Sequence, residues 1–170
     1  MPEAISRRMQ DHNLQAVDQM EVLGCCITDS SALMNDWLQA RRADHRDACD
    51  ILSHRSMPVQ SALLLQRMSI NTRLDHLMRM LEPKLIDSLL QHFDDEMLQL
   101  FCNISGISLA EPADSVALAA LIARIRLPIS MGGMGLTSKA SIAHIAYYAS
   151  LLQAVPDVLR FFHGDAEASK

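Results

Sequence analysis

The sequence predicts an all-α fold, and three observations carry that prediction. Helical spacing of apolar residues recurs from end to end. Glycine clusters only within residues 127–138. The apolar 49% is made of Leu, Ile, Ala and eleven Met, with few aromatics, a palette suited to helix packing. A chain of 170 residues can bury one sizeable core. The expected architecture is a single helical bundle of about six or seven helices over residues 20–163, with a short Gly-rich hairpin near 127–137. Residues 1–19 and 164–170 are expected to be loose.

Charge and cysteine content narrow the classes further. A formal net charge of −5 argues against a stand-alone basic nucleic-acid module, because such binding is dominated by phosphate neutralisation. A locally basic face is still compatible with it. Twelve of the fifteen cations are Arg, the fork-shaped donor that suits phosphate or carboxylate, although codon usage accounts for the bias equally well. Cys25, Cys26, Cys49 and Cys102 show no C-x-x-C spacing, so reduced thiols in the cytoplasm or nucleus are expected. The longest apolar run, residues 116–123, falls short of the roughly 20 residues of a membrane span, and no membrane partner is expected.

Taken in order, Met20-Glu21-Val22-Leu23-Gly24-Cys25-Cys26-Ile27 reads as a strand or a buried coil, and a lone strand lacks a partner. Asp29, Ser30 and Ser31 offer N-caps to a helix reaching about residue 54, with Leu33, Trp37, Ala40, Ala48 and Ile51 as its core face. Arg42 and Arg46 then belong to a solvated charged flank. His45 and Cys49 stand four apart, but no second pair completes a metal site. Pro58 opens a helix with Val59, Ala62, Leu63, Leu64, Leu65 and Met68, apolar almost all round and expected to be the most buried. After an interruption at Asn71-Thr72, Leu74, Leu77, Met78 and Leu81 form a clean stripe that Glu82-Pro83 stops.

The next helix starts near Lys84, carries Leu85, Leu89, Phe93, Met97 and Leu100 on one face, and ends at a Gly106 cap. Within it, His92-Phe93-Asp94-Asp95-Glu96 lacks the aromatic-x-Asp-Asp hairpin of polymerases. Adjacent helical carboxylates diverge by about 100°, so the expectation is a solvated acidic face. Pro112 and Asp114 start a short Ala/Leu helix closed by Arg124 and Arg126. Thr137 or Ser138 caps a last helix whose core face is Ile142, Ile145, Ala146 and Ala149, with Pro156 interrupting it.

Two groups of residues are candidates for chemistry. Gly132, Gly133 and Gly135 could cradle an anion. However, Leu136 follows them and Lys139 comes four positions on, so a structural hairpin with glycine supplying positive φ is favoured. Arg67, Arg73 and Arg79 make the most basic stretch. Spaced by six, they would point about 120° apart on one straight helix, so the break at Asn71-Thr72 decides whether they share a face. No nucleophile elbow or catalytic constellation can be assembled, and no catalytic residue, metal or cofactor is assigned.

A family resemblance comes from three blocks. Leu127-Pro128-x-x-x-Gly132-Gly133-Met134-Gly135-Leu136-Thr137-Ser138, followed by Ala146-Tyr147-Tyr148-Ala149-Ser150-Leu151, resembles a segment downstream of the polymerase domain in reverse transcriptase-like proteins of non-LTR retrotransposons. Val22-Leu23-Gly24 and residues 73–83 resemble two upstream blocks of the same region, with His76 where an aromatic usually stands and Met134 where Leu does. Together the blocks cover about residues 20–152. The resemblance implies the thumb-like region after the palm, separated from the palm's catalytic aspartates. It therefore implies support of a template–primer duplex of RNA or DNA without catalysis, with Arg67, Arg73 and Arg79 as phosphate contacts. The alternative is a helical protein–protein interaction module, free of nucleic acid, whose Met78, Met80 and Phe161 once faced a missing palm domain and now meet another chain or a second copy.

Overall fold

A computed structural model describes residues 17–107 and 115–163. Among them are six α-helices and one two-stranded sheet, so the all-α prediction holds. The chain divides between Gln39 and Ala40 into two compact units. The expected loose termini, 1–19 and 164–170, lie almost wholly outside the described residues, as do Pro112 and Asp114.

The first unit holds the run expected to be a strand or coil. It is a hairpin, β1 (Met20–Val22) against β2 (Cys25–Ile27), with Met20 opposite Ile27 and Val22 opposite Cys25. Leu23 and Gly24 make the two-residue turn with φ of +52° and +73°, the primed geometry that fits strand twist. The run thus supplies its own strand partner. Thr28 Oγ1 donates to the Asp18 carbonyl at 2.7 Å and ties the open end of the hairpin. Ser30 Oγ accepts the Leu33 N–H and caps α1 (Ser31–Leu52), as its side chain predicts.

Helix α1 crosses the boundary between the units, and its buried face differs from the expected one. Met34 and Trp37 are buried before the boundary, and His45, Cys49 and Leu52 after it, while Ile51 is exposed. The face is turned by about one residue, or 100°. His45, absent from the expected face, stacks its ring on Phe93 at 4.3 Å between centroids and so behaves as a core aromatic.

In the second unit, α2 (Val59–Leu65) continues into a π-helical segment, Gln66–Ile70, then turns into α3 (Leu77–Met80). The expectation that α2 is the most buried helix is overturned. Only Ala62 is buried on it, and Val59, Leu64, Leu65 and Met68 lie exposed. The central helix is α4 (Pro83–Ser105), whose Ile86, Leu89, Leu90, Phe93, Met97, Leu100 and Phe101 are buried. Leu85 faces outward instead. The stripe of Leu74, Leu77, Met78 and Leu81 is buried as expected, which removes Met78 from the exposed residues of the alternative reading. Gly106 ends α4 at φ +69° with its N–H on the Cys102 carbonyl, the predicted left-handed cap.

Helix α5 (Ser115–Arg126) leads through a 3-10 turn, Ile129–Met131, to α6 (Lys139–His163). Both α3 and α4 pack on α6. The face of α6 is also rotated: Ala143 is buried, while Ile145 is 73% exposed. Pro156 does not interrupt α6 but sits inside it. Every described side chain around it is exposed, so water can satisfy the carbonyl that proline leaves free.

The glycine stretch reverses the chain as expected, on the 3-10 turn rather than on paired strands. Gly132 and Gly135 take φ of +79° and +72°. Gly133 is different, because a Cβ there would lie 2.1 Å from the Leu127 carbonyl oxygen. Gly133→Ala is therefore expected to destabilise the unit by about 3 kcal/mol or more. Gly132→Ala, where the added Cβ meets open space, should cost only about 1–2 kcal/mol for its positive φ. Urea unfolding of both variants checks the order, and equal losses would contradict the close approach.

Candidate functional site

The backbone of the glycine turn leaves little for an anion. Met131 and Gly133 N–H donate to the Pro128 carbonyl, Gly132 to Ile129, Gly135 to Leu127 and Leu136 to Ile125. Donors that a phosphate cradle would need are thus spent within the chain. The turn is structural, and its tip delivers Ser138 to the start of α6.

That start is where the carboxylates of α4 act. Ser138 Oγ accepts the Ser141 N–H at 3.2 Å, the N-cap bond expected of it. Asp94, from the cluster expected to be solvated, reaches the same helix end: Lys139 N–H donates to Oδ1 at 2.7 Å, Ala140 N–H to Oδ2 at 3.2 Å, and the Ser138 hydroxyl to Oδ2. Three of the four otherwise unpaired N–H groups of α6 are satisfied, with a negative charge at the positive end of the helix dipole. Lys139 is itself buried and its Nζ lies 2.6 Å from Asp75 Oδ1. Asn71 Nδ2 donates to the Gly135 carbonyl. These contacts fasten the 71–76 turn to the glycine turn.

Glu96, two residues on, also departs from the solvated-face expectation. Its Oε1 lies 3.2 Å from Arg46 Nη2 and 4.0 Å from Arg42 Nε, so the two arginines of α1 face a carboxylate rather than water alone. Of the three acids only Asp95 is exposed. His45 Nε2 lies 3.6 Å from Glu96 Oε2 and 3.5 Å from Cys49 Sγ. The first distance is too long for a hydrogen bond, so the carboxylate acts on the ring only through space. Burial lowers the His45 pKa from its ordinary 6.5, opposed by Glu96 and assisted by Arg73. Burial, with Glu96 and Asp50, pushes the Cys49 thiol up to about 11, which makes it a packing group and not a nucleophile. Burial likewise raises Cys25 and Cys102. Among the described residues no three His, Cys, Asp or Glu are grouped to hold a metal ion.

Arg67, Arg73 and Arg79 find three different surroundings. Arg67 is half-buried, with its Cδ beside Gly135 and its guanidinium 3.8 Å from Met68 Sδ. Arg73 is exposed and donates to the Asp44 carbonyl of α1 at 3.3 Å. Arg79, on α3, is exposed. The break after the π segment therefore ties two of them to separate protein neighbours. Beside Arg67 opens a cavity of about 270 Å³, walled by Leu63, Leu64, Phe101, Met134 and Leu136. The sequence carries a faint signal for these roles. On the α4 wheel Asp94 falls next to Phe101, at the edge of the core arc rather than opposite it.

Comparison with protein-family models, curated proteins and solved structures finds no match for the chain. No described helix is long and apolar enough to cross a membrane.

The buried imidazole has a consequence for stability. His45 resists protonation in the fold, whereas in the unfolded chain it takes a proton near pH 6.5. Its neutral form favours folding above that pH, and this contribution is lost as pH falls through the unfolded and then the lowered folded value. The urea midpoint of the protein should fall more steeply below pH 6.5 than that of His45→Gln. Parallel curves would contradict a depressed His45.

Proposed function

We propose that the chain serves as a thumb-like helical region of a non-LTR retrotransposon reverse transcriptase-like protein, inside the cell, supporting a template–primer duplex without catalysing synthesis. One observation carries this reading. Two of the three blocks that resemble that family brace the larger unit: Asp75, in residues 73–83, holds Lys139, which follows the glycine block, and Gly133 of that block packs on Leu127. A likeness located in a framework suits a supporting region. Of the three arginines, Arg73 and Arg79 are exposed and available to phosphate, and Arg67 stands at the cavity rim.

A second reading rests on a separate feature. On α6, Ile145, Tyr148, Leu152, Val155 and Leu159 are all exposed, and their spacing alternates three and four, which places them in one stripe. Phe161 is 79% exposed, and Met80 is exposed on α3. An apolar stripe of this length on a helix favours protein–protein contact.

Two measurements separate the readings. Binding of an RNA–DNA primer–template duplex should weaken with salt, and Arg73→Ala and Arg79→Ala should each reduce the slope of log K against log salt by about 0.9. Absence of affinity at low salt would remove the nucleic-acid reading. Light scattering over a concentration series addresses the stripe: self-association that Leu152→Asp abolishes supports the interaction module, and a strict monomer at all concentrations counts against it.

A further inference from the structure

Helix α6 carries the longest run of exposed side chains among the described residues. Its first half is anchored, with Lys139 and Ala143 buried and with α3 and α4 packed against the helix. From Leu151 to Phe161 every side chain is exposed. A segment this short is marginal as a helix in water unless something packs on it, and Pro156 inside it removes one backbone hydrogen bond more. The free half of α6 therefore calls for a support that its own unit does not supply.

The stripe of Ile145, Tyr148, Leu152, Val155 and Leu159 runs through both halves, and its members are 73, 58, 72, 41 and 51% exposed. On the helical wheel it centres roughly 160° from the buried Ala143, so it follows the outer side of the anchored half and continues along the free one. His144, Ala149, Leu151, Pro156 and Val158 flank it, and none of them is an acid, a lysine or an arginine. Asp157 and Arg160 lie off the seam and pair with each other at 3.3 Å. A seam without charge gives a charged partner nothing to recognise, and it sets no like charges together when two copies meet. Each seam side chain, with Leu151 and Val158 beside them, leaves on the order of 100 Å² bare. Two copies can then bury an area within the roughly 1,200–2,000 Å² of specific interfaces.

We propose that two copies of the chain pair antiparallel through this seam, an inference that rests on the protein-contact reading above and names its partner. Seams spaced by three and four interlock when the helices run in opposite directions. Tyr148 then lies against the second copy's Leu159, and Leu152 against its Val155, on both sides of a two-fold axis near residues 153 and 154. Larger side chains face smaller ones in each of these layers. A parallel pair would instead stack Tyr148 on Tyr148 and join two free halves, neither of them supported. The antiparallel pair lays each free half along the anchored half of the other copy, and it also opposes the two helix dipoles.

The test uses the full chain without nucleic acid. Tyr148→Cys and Leu159→Cys are made separately, both at exposed positions, with folding checked by circular dichroism. Cys25, Cys26, Cys49 and Cys102 are buried, so a short bismaleimide joins only the introduced thiols, and the unaltered protein is the control. In the antiparallel pair the two copies of residue 148 stand about 16 Å apart along the axis, beyond its reach, whereas 148 and 159 are neighbours. The two variants mixed and left to exchange should give covalent dimer where neither alone does, and Val155→Asp added to both should abolish it. Covalent dimer from Tyr148→Cys alone would overturn the antiparallel pair while leaving the stripe as a protein contact. Crosslinking that survives Val155→Asp would overturn the seam. A strict monomer with no crosslink in any mixture would overturn the second copy as partner, and the contact reading with it.

Discussion

The carboxylate of Asp94 closes the N-terminus of α6, and the packing of the larger unit depends on that closure. A helix that begins inside packed structure must find acceptors for its first N–H groups. Here the acceptor is delivered from the central helix α4, forty-odd residues away in sequence. Oδ2 also accepts the hydroxyl of Ser138, the local cap, and so orients it. One side chain therefore fixes the position of α6 on α4, and Lys139, immediately after, is held by Asp75. The glycine turn is the device that brings Ser138 and Lys139 to this point, and Gly133 is required because the chain passes against Leu127 with no room for a side chain.

Polar contacts recur at the seams of the unit. Glu96 stands among Arg42, Arg46 and His45, Arg73 holds an α1 carbonyl, and Gln66 holds an α4 carbonyl. Such groups cost desolvation and confer orientation more than raw stability. They also explain why the chain can leave much apolar surface uncovered. Val59, Leu64 and Leu65 on α2, and Ile145, Leu152 and Leu159 on α6, stay in solvent, so two helices present apolar faces that the unit itself does not bury.

Much of the fold was legible because local rules governed it. Ser30 and Ser138 cap the helices that follow them, Gly106 ends α4, and Leu74, Leu77, Met78 and Leu81 turn inward at their helical spacing. Periodicity failed where a helix carries more apolar residues than its neighbours can cover. On α2 and α6 the pattern marks two apolar arcs, and only tertiary packing selects which is buried. It failed again where polar residues do core work: His45 stacks on Phe93, and Asp94 looks like a surface acid until α6 is placed on it. The hairpin at Leu23-Gly24 escapes a reading of the run as a strand or a buried coil, although a two-residue turn with glycine second is present in it. The cavity was not legible, since its walls come from three segments distant in sequence.

Native-state hydrogen exchange at the Lys139 and Ala140 amides tests the role of Asp94 most directly. Both N–H groups should be protected to a degree comparable with the core amides of α4, although they lie in the first turn of a helix, where exchange is ordinarily fast. Asp94→Ala should accelerate them by about a hundredfold, as loss of charge-assisted bonds predicts, while Asp95→Ala leaves them unchanged. Fast exchange at these amides in the unaltered protein, or equal effects of the two substitutions, would contradict the account.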